Sequence, residues 1–149
     1  MARADIASDD VASFLIEWHR IVGEKDLASL GHVLAEDISL GAPPYWNKIR
    51  GRALVQHLLG LIVDTIDEFT YHREWQSGGE LALEFSGHVD EQELQGIDLI
   101  SLDGRMKISN LDVLMRPVNA VISLRERIAP QMAAFISQSA EQSTRGEST

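Results

Sequence analysis

Residues 94–108 read LQGIDLISLDGRMKI and carry the clearest structural signal in the chain. The run from Leu94 to Leu102 follows the two-residue period of a half-buried strand, in which alternate side chains point to opposite faces. Asp103-Gly104 supplies a turn, and a second strand-like run begins at Met106. The stretch therefore predicts two antiparallel strands, and it places the carboxyl of Asp98 among the apolar residues of one face.

The same period predicts further strands on both sides of this one. Phe69 to Trp75, Leu81 to His88 and Met106 to Met115 each alternate at every second position. The turns between consecutive strands are short, so the four strands should form an antiparallel meander. Pro117 should end the last strand, because proline cannot donate a backbone hydrogen bond.

Apolar residues at helical spacing precede the strands. Ser8-Asp9-Asp10 can cap a first helix, whose apolar stripe runs from Val11 to Val22 and includes Trp18. Asp26 can cap a shorter second helix with apolar positions from Leu27 to Leu34. These two segments predict a helical hairpin.

The segment between this hairpin and the meander contains both strand and helix signals. Ile38 to Leu40 predicts a short strand, and Trp46 to Ile49 predicts a short edge strand beyond Pro43-Pro44. A third helix should start at Gly51 and end before Asp64, since its apolar residues recur at every third or fourth position.

The C-terminal part predicts one more helix and a tail. Apolar residues follow helical spacing from Val121 to Ile136, and Pro130 should kink or divide this helix. Residues 139–149 have almost no apolar content, so we expect a disordered tail. We expect residues 1–138 to form a single domain, because a chain of this length can bury one core.

The composition argues against several classes of protein. The chain has 149 residues, a formal net charge of −10 and no cysteine. Negative charge opposes binding to a phosphate backbone, and the lack of cysteine removes disulfides, thiolate nucleophiles and Cys-based zinc sites. No apolar run is long enough to cross a bilayer. We therefore expect a soluble, cytoplasmic protein that binds neither nucleic acid nor membrane.

Several motifs, in this order, resemble the nuclear-transport-factor-2-like superfamily and its SnoaL-like polyketide-cyclase and ketosteroid-isomerase-like branch. Residues 34–39 resemble the family's passage from the second helix into the first strand, and residues 49–52 resemble the start of its third helix. Residues 96–108 are similar to the penultimate hairpin, and residues 113–117 to the last strand. The resemblance implies an α+β cone, in which a curved antiparallel sheet packs against N-terminal helices, with an extra C-terminal helix.

The resemblance also implies a ligand class without implying one activity. The open end of such a cone holds a small, largely apolar molecule, and dimers are common, so we expect a small hydrophobic ligand and a homodimer. The fold serves isomerases, cyclases, epoxide hydrolases, dehydratases and non-enzymatic association domains. Its members therefore have to be distinguished by their site residues.

The resemblance places Asp98 where ketosteroid isomerases carry an acid that donates a hydrogen bond to the substrate oxygen. Their other site residues are missing here. Trp18 stands at the tyrosine position of the first helix, Gly41-Ala42 stands where the base would be, and Leu59 stands at a second tyrosine position. Ketosteroid isomerisation is therefore disfavoured, because it needs a base. Epoxide hydrolysis is disfavoured as well, because Asp112 is out of register by one residue.

Asp98 is the first candidate for chemistry on physical grounds as well. A carboxyl on an apolar wall resists ionisation, and the protonated acid can then donate a hydrogen bond or a proton. We expect Asp98 to act as a general acid or hydrogen-bond donor. The alternative is a structural role, in which Asp98 pairs with an arginine or caps the edge of the sheet.

The other predicted ligand contacts are aromatic and aliphatic. Trp18 could stack on a ligand, and Trp46 could cover it from the mouth of the cone, with core packing and a dimer contact as the respective alternatives. The remaining predicted lining residues are Leu59, Leu83, Phe85, Leu111, Val113 and Met115. The five histidines are scattered singly, without the spacing of a metal site, so we predict no metal and no cofactor.

Two functions of different class remain open. The chain could be a pocket protein, enzyme or binder, that acts on a small apolar molecule through Asp98. It could equally be a non-catalytic association domain that pairs through the convex face of the sheet and the C-terminal helix. The interior volume separates the two hypotheses, because an association domain can fill its cone with its own side chains.

Overall fold

The computed structural model describes residues 6–147, with the side chains of residues 6–140. The N-terminal half contains two helices, a 3₁₀ turn and two strands: α1 (Ser8–Glu24), the turn (Leu27–His32), β1 (Leu34–Gly41), β2 (Ile49–Arg50) and α2 (Arg52–Thr65). The C-terminal half contains four long strands and one long helix: β3 (Asp67–Ser77), β4 (Glu80–Val89), β5 (Gln92–Leu102), β6 (Ile108–Arg116) and α3 (Val118–Glu147).

The six strands form one curved, unclosed sheet in the order β2-β1-β6-β5-β4-β3. The sheet packs with its helices into the α+β cone that the sequence predicts, so the predicted fold class is confirmed. Strands β3 to β6 form the predicted antiparallel meander. Strand β1 instead runs parallel to β6, with Leu40 opposite Leu111.

The core lies between the inner, concave face of the sheet and the helices. The stripe of α1 is buried as predicted, because its members recur at the spacing that keeps them on one side of the helix. From α2, Val55, Leu59 and Ile62 are buried against the same core. The inner face of the meander contributes buried side chains from every second position of β4, β5 and β6.

The prediction of a second α-helix from Leu27 to Leu34 is wrong. Asp26 does cap the segment by accepting a hydrogen bond from the backbone N–H of Ser29, but the turn that follows is 3₁₀ and ends at His32. Leu34 begins β1 and pairs with Ile108 of β6. Sheet pairing therefore overrides the helical spacing of the apolar residues.

Helix α3 is continuous through Pro130, so the predicted division of this helix is not found. Ala120, Leu124 and Ile128 are buried on the body of the protein, and this packing offsets the loss of one backbone hydrogen bond. The helix continues to Glu147, past residue 139, where the sequence predicts a disordered tail. Residues 148 and 149 of that tail lie outside the described residues. Within residues 6–147, no helix combines the length and hydropathy needed to span a bilayer.

Strand β3 contains a bulge that changes which residues face inward. Tyr71 lies opposite Phe85 and Glu74 lies opposite Leu83, so two residues of β3 face the single residue Glu84 between them. A bulge of this kind breaks the two-residue period. Tyr71 therefore points into the core while Arg73, two positions later, reaches Glu84 on the outer face.

Candidate functional site

Asp98 lies on the inner face of the sheet, where strand alternation places it. It sits in the middle of β5, between Leu83 of β4 and Val113 of β6, and only 6% of its surface is exposed. Gly96, two residues earlier on the same face, leaves room for the ring of Phe85, which any Cβ at this position would meet. The sheet therefore holds the carboxyl of Asp98 against an apolar interior.

Three side chains from three elements form a hydrogen-bonded chain that ends at this carboxyl. The indole N–H of Trp18 on α1 donates to the hydroxyl of Tyr71 at 2.9 Å. The hydroxyl of Tyr71 on β3 donates in turn to Oδ2 of Asp98 at 2.6 Å. The tyrosine thus has both an acceptor and a donor partner, while Oδ1 of Asp98 has no such partner among the described side chains.

Burial sets the protonation states of Tyr71 and Asp98. Loss of hydration raises the pKa of the Asp98 carboxyl to about 7, and the hydrogen bond from Tyr71 acts in the opposite direction. Burial also raises the pKa of Tyr71 well above its ordinary value, and the charge of Asp98 adds to this effect. Near neutral pH, Tyr71 is therefore protonated, and Asp98 is divided between its acid and carboxylate forms.

Tyr71 is a site residue that the sequence reasoning missed. The resemblance implies tyrosine positions on α1 and α2 only, where Trp18 and Leu59 stand. The available signal was the alternation of β3, which puts Phe69 and Tyr71 on one face. The structure thus brings a tyrosine hydroxyl to the acid from a different strand.

The carboxyl borders a very small inner cavity. Its volume is about 20 Å³, enough for about one water molecule. Five of the predicted contacts line it together with Asp98 and Tyr71: Trp18, Leu59, Phe85, Leu111 and Val113. Leu83 is buried but lines neither this cavity nor the larger one described next.

A larger outer chamber lies under helix α3, with a volume of about 340 Å³. This is at the lower end of the range of about 300–1,000 Å³ that is typical of small-molecule sites. Its walls come from α2, from the loop between β1 and β2, from α3 and from the end of β6, where Met115 lies. Most of these residues are apolar, as in sites that bind hydrophobic molecules.

The inner cavity and the outer chamber share a wall. Ile62 of α2 and Val113 of β6 line both of them. Two aliphatic side chains therefore form part of the wall between the cavity at Asp98 and a space of ligand size. Both side chains are buried and β-branched, so opening this wall would require rotamer changes of two restricted side chains.

Trp46 does not have the predicted position over the mouth of the cone. Its side chain is 95% exposed, and it borders a shallow depression on the outer side of the sheet together with Leu99 and Leu114. Its neighbour Tyr45 borders both this depression and the outer chamber. The loop that carries both residues contains two consecutive prolines, which restrict its backbone.

The outer face of the sheet carries a second buried carboxyl, on Glu84. It accepts hydrogen bonds from Arg73 at 2.9 and 2.5 Å and from Gln95 at 2.9 Å. The bond from Arg73 is the main reason why the pKa of Glu84 is lowered to about 2. Arg116 extends this network by donating to Gln95 at 2.9 Å. Glu84 is therefore a structural anion.

The histidines are not grouped into a site. His19 contacts the ring of Tyr71 edge-on and lies 3.1 Å from a carboxylate oxygen of Glu74. His88 lies 3.8 Å from Asp67, and His57 stacks on Phe135. In the described part of the chain, no three His, Cys, Asp or Glu side chains come together as metal ligands would.

The described fold has several solved relatives. A steroid Δ-isomerase from Pseudomonas aeruginosa shares 30% identity over 89% of this chain and 97% of its own, with a TM-score of 0.81. An uncharacterised protein with a cystatin-like fold from Silicibacter pomeroyi shares 31% identity over 86% of this chain and 88% of its own, with a TM-score of 0.76. The chain belongs to the nuclear-transport-factor-2-like superfamily, in its SnoaL-like and ketosteroid-isomerase-like branch.

A more distant structure shows the fold alone. A protein of unknown function from Mesorhizobium loti, of the same superfamily, shares 16% identity over 77% of this chain and 98% of its own, with a TM-score of 0.67. No protein-family model matches the sequence, and no curated protein does.

Proposed function

We propose that this protein binds a small, mostly apolar molecule that carries a hydrogen-bond-accepting oxygen, and that Asp98 donates a hydrogen bond or a proton to this oxygen. The observation that carries the proposal is the buried carboxyl of Asp98, with a pKa of about 7, next to an apolar space of ligand size. The apolar body of the ligand would occupy the outer chamber. Its oxygen would pass between Ile62 and Val113 to reach the acid.

The free oxygen of Asp98 supports this direction of donation. Tyr71 donates to Oδ2, so the proton of the neutral acid belongs on Oδ1. A buried acid that is neutral near pH 7 is a strong hydrogen-bond donor to a carbonyl oxygen. Tyr71 and Trp18 hold the carboxyl in place, which makes them positioning residues in this proposal.

A reaction of the isomerase or lyase type is the catalytic form of this proposal. The similar Pseudomonas protein is called a steroid Δ-isomerase, and proton transfer at a carbon next to a carbonyl is the chemistry of such enzymes. A residue with a pKa near the working pH can both give and take a proton. Among the described residues that line either space, only Asp98 carries a carboxyl. It would therefore have to give a proton in one step and take a proton in the other.

A pH titration of ligand binding tests the role of Asp98. We expect the fluorescent ketone 2-acetylnaphthalene to bind about tenfold more weakly at about pH 8 than at about pH 6, because the acid form then falls about tenfold. The variant Asp98→Asn keeps a donor at every pH, so its affinity should not change over this range. Asp112→Asn, on the outer face of β6, is the matched control and should titrate like the wild type. If the affinity of the wild type for 2-acetylnaphthalene stays constant with pH, Asp98 does not take part in binding.

A second candidate function is homodimeric association through the outer face of the sheet. Leu114 is 56% exposed and, with Leu99 and Trp46, borders a depression that also has charged residues in its wall, namely Lys48, Arg50 and Asp112. Exposed apolar groups of this kind are typical of interfaces. Leu114→Glu should then convert a dimer into a monomer in analytical ultracentrifugation, whereas Ile16→Glu, at an exposed position of α1, should not. A wild type that sediments as a monomer at every concentration would rule this function out.

A further inference from the structure

The outer chamber has one charged side chain in its wall. Arg125 of α3 borders the chamber, and the polar groups that accompany it are the amide of Asn47 and the phenol of Tyr45. No Asp or Glu is among the described residues of this wall. The chain as a whole has a formal net charge of −10. The charge of this wall is therefore opposite in sign to the net charge of the chain.

The guanidinium of Arg125 has no ion pair or side-chain hydrogen bond within the described residues, unlike several other arginines. Arg127, two positions later on the same helix, pairs with Asp90. Arg20 contacts three carboxylates of the N-terminal region, and Arg73 contacts Glu84. A guanidinium offers five N–H donors in a planar fork, so Arg125 can accept an anion without breaking an existing contact.

We propose that the outer chamber binds a medium-length carboxylic acid, with its carboxylate on Arg125 and its carbon chain on the apolar wall. This inference rests on the proposed function, because it adds an outer end to a ligand whose inner oxygen approaches Asp98. Together the two ends define an oxo or hydroxy fatty acid as the ligand class.

The size of the chamber sets the length of this acid. A volume of about 340 Å³ is at the lower end of the range typical of small-molecule sites, so an acid of medium length suits the chamber better than a long-chain acid. A ten-carbon chain represents this length. A longer acid would have to displace Ile62 and Val113 or extend into solvent beyond Arg125.

The chemistry of a guanidinium favours a carboxylate over a neutral polar end. A carboxylate and a guanidinium can form two parallel hydrogen bonds, which orients the ligand as well as attracting it. Arg125 is exposed, so water and salt weaken the attraction, and its effect on affinity should be modest. The apolar wall would supply most of the affinity, and Arg125 would select among amphipathic molecules.

Calorimetric titration with decanoate and decan-1-ol tests the inference, because the two probes share a chain and differ in charge. At low salt, the wild type should bind decanoate about fivefold more tightly than decan-1-ol. Arg125→Gln should lose this preference while its affinity for decan-1-ol stays the same. Arg127→Gln is the matched control, since it removes a cation of the same helix that pairs with Asp90, and it should keep the preference.

The outcomes separate this inference from the function on which it rests. Equal affinities of the wild type for both probes would overturn the role of Arg125 and leave an apolar chamber that binds ligands. A preference that Arg125→Gln and Arg127→Gln reduce equally would also overturn it, because the preference would then come from the general field of α3. If neither probe binds, this inference is overturned, and the pH titration of 2-acetylnaphthalene binding decides separately whether the proposed function stands.

Discussion

Glu84 and Asp98 lie on neighbouring strands, one residue apart in register, but on opposite faces of the sheet. Both are nearly inaccessible to solvent, yet the pKa of Asp98 is raised to about 7 and that of Glu84 is lowered to about 2. On the inner face, one neutral hydroxyl faces the carboxyl, and desolvation dominates. On the outer face, a guanidinium and an amide face the carboxyl. Burial alone therefore does not determine the charge of a carboxyl, because its partners decide between the two outcomes.

The largest expected effect comes from breaking the hydrogen-bonded chain on the inner face. Tyr71→Phe leaves the indole N–H of Trp18 and the carboxyl of Asp98 without their partner. Each unsatisfied buried group costs about 1–3 kcal/mol, so we expect the free energy of unfolding to fall by about 3 kcal/mol. Urea denaturation measures it. Tyr45→Phe, at a residue that is 62% exposed, is the control. A loss of unfolding free energy no larger than that of the control would show that these hydrogen bonds contribute little to stability.

The next effect is a stability difference that grows with pH. The ordinary pKa of an aspartate is 3.8, and that of Asp98 in the fold is about 7, so between these values the folded state holds a proton that the unfolded chain has lost. Wild-type stability therefore falls as pH rises through this interval, and that of Asp98→Asn does not. We expect the variant to gain about 2 kcal/mol on the wild type between about pH 5.5 and about pH 8.

Urea denaturation of both proteins at a series of pH values measures this difference. The slope of the stability difference against pH is the informative quantity, because any effect of the amide on stability that does not depend on pH cancels. Asp112→Asn, which changes a half-exposed carboxyl on the outer face, should run parallel to the wild type over the same range. Parallel curves for Asp98→Asn and the wild type would contradict a raised pKa for Asp98.

The smallest effect is expected on the outer face, with the opposite dependence on pH. The pKa of Glu84 is below its ordinary value of 4.5, so its stabilising effect is complete above that value and is lost as pH falls toward about 2. We expect Glu84→Gln to lower the melting temperature by about 3 °C at neutral pH. Arg73 is 69% exposed, and solvent weakens the pair. Calorimetric scans from about pH 7 to about pH 3 should show this gap closing, and a gap that widens toward acid would contradict the assignment.

The strands and the inward position of Asp98 could be predicted from the sequence, because both follow from a two-residue period that neighbouring strands reinforce. The two-residue period gave wrong predictions where the structure departs from regular strands. The bulge in β3 separates Tyr71 from Arg73, and the parallel pairing of Leu34 with Ile108 replaces the second helix. Both depend on partners that are distant in sequence.

The division of the interior into two spaces could not be predicted either. Cavity volumes depend on how side chains from several elements fit together, which a pattern along one element does not reveal. Helix α3 forms one wall of the outer chamber, and its packing on α2 involves the stacked rings of His57 and Phe135. Leu83 is an example. Strand alternation predicts that its side chain points inward, but not that it lines neither space.

The parallel pairing of β1 with β6 has a consequence during synthesis. The side chain of Ser39 bonds to that of Asn110, a partner that lies 71 positions further along the chain. At a translation rate of about 5–20 residues per second, a nascent chain would carry β1 for about 4 to 14 s before its neighbour exists. Until then β1 can pair only with the short strand β2, so its apolar side stays uncovered longer than that of any strand in the meander.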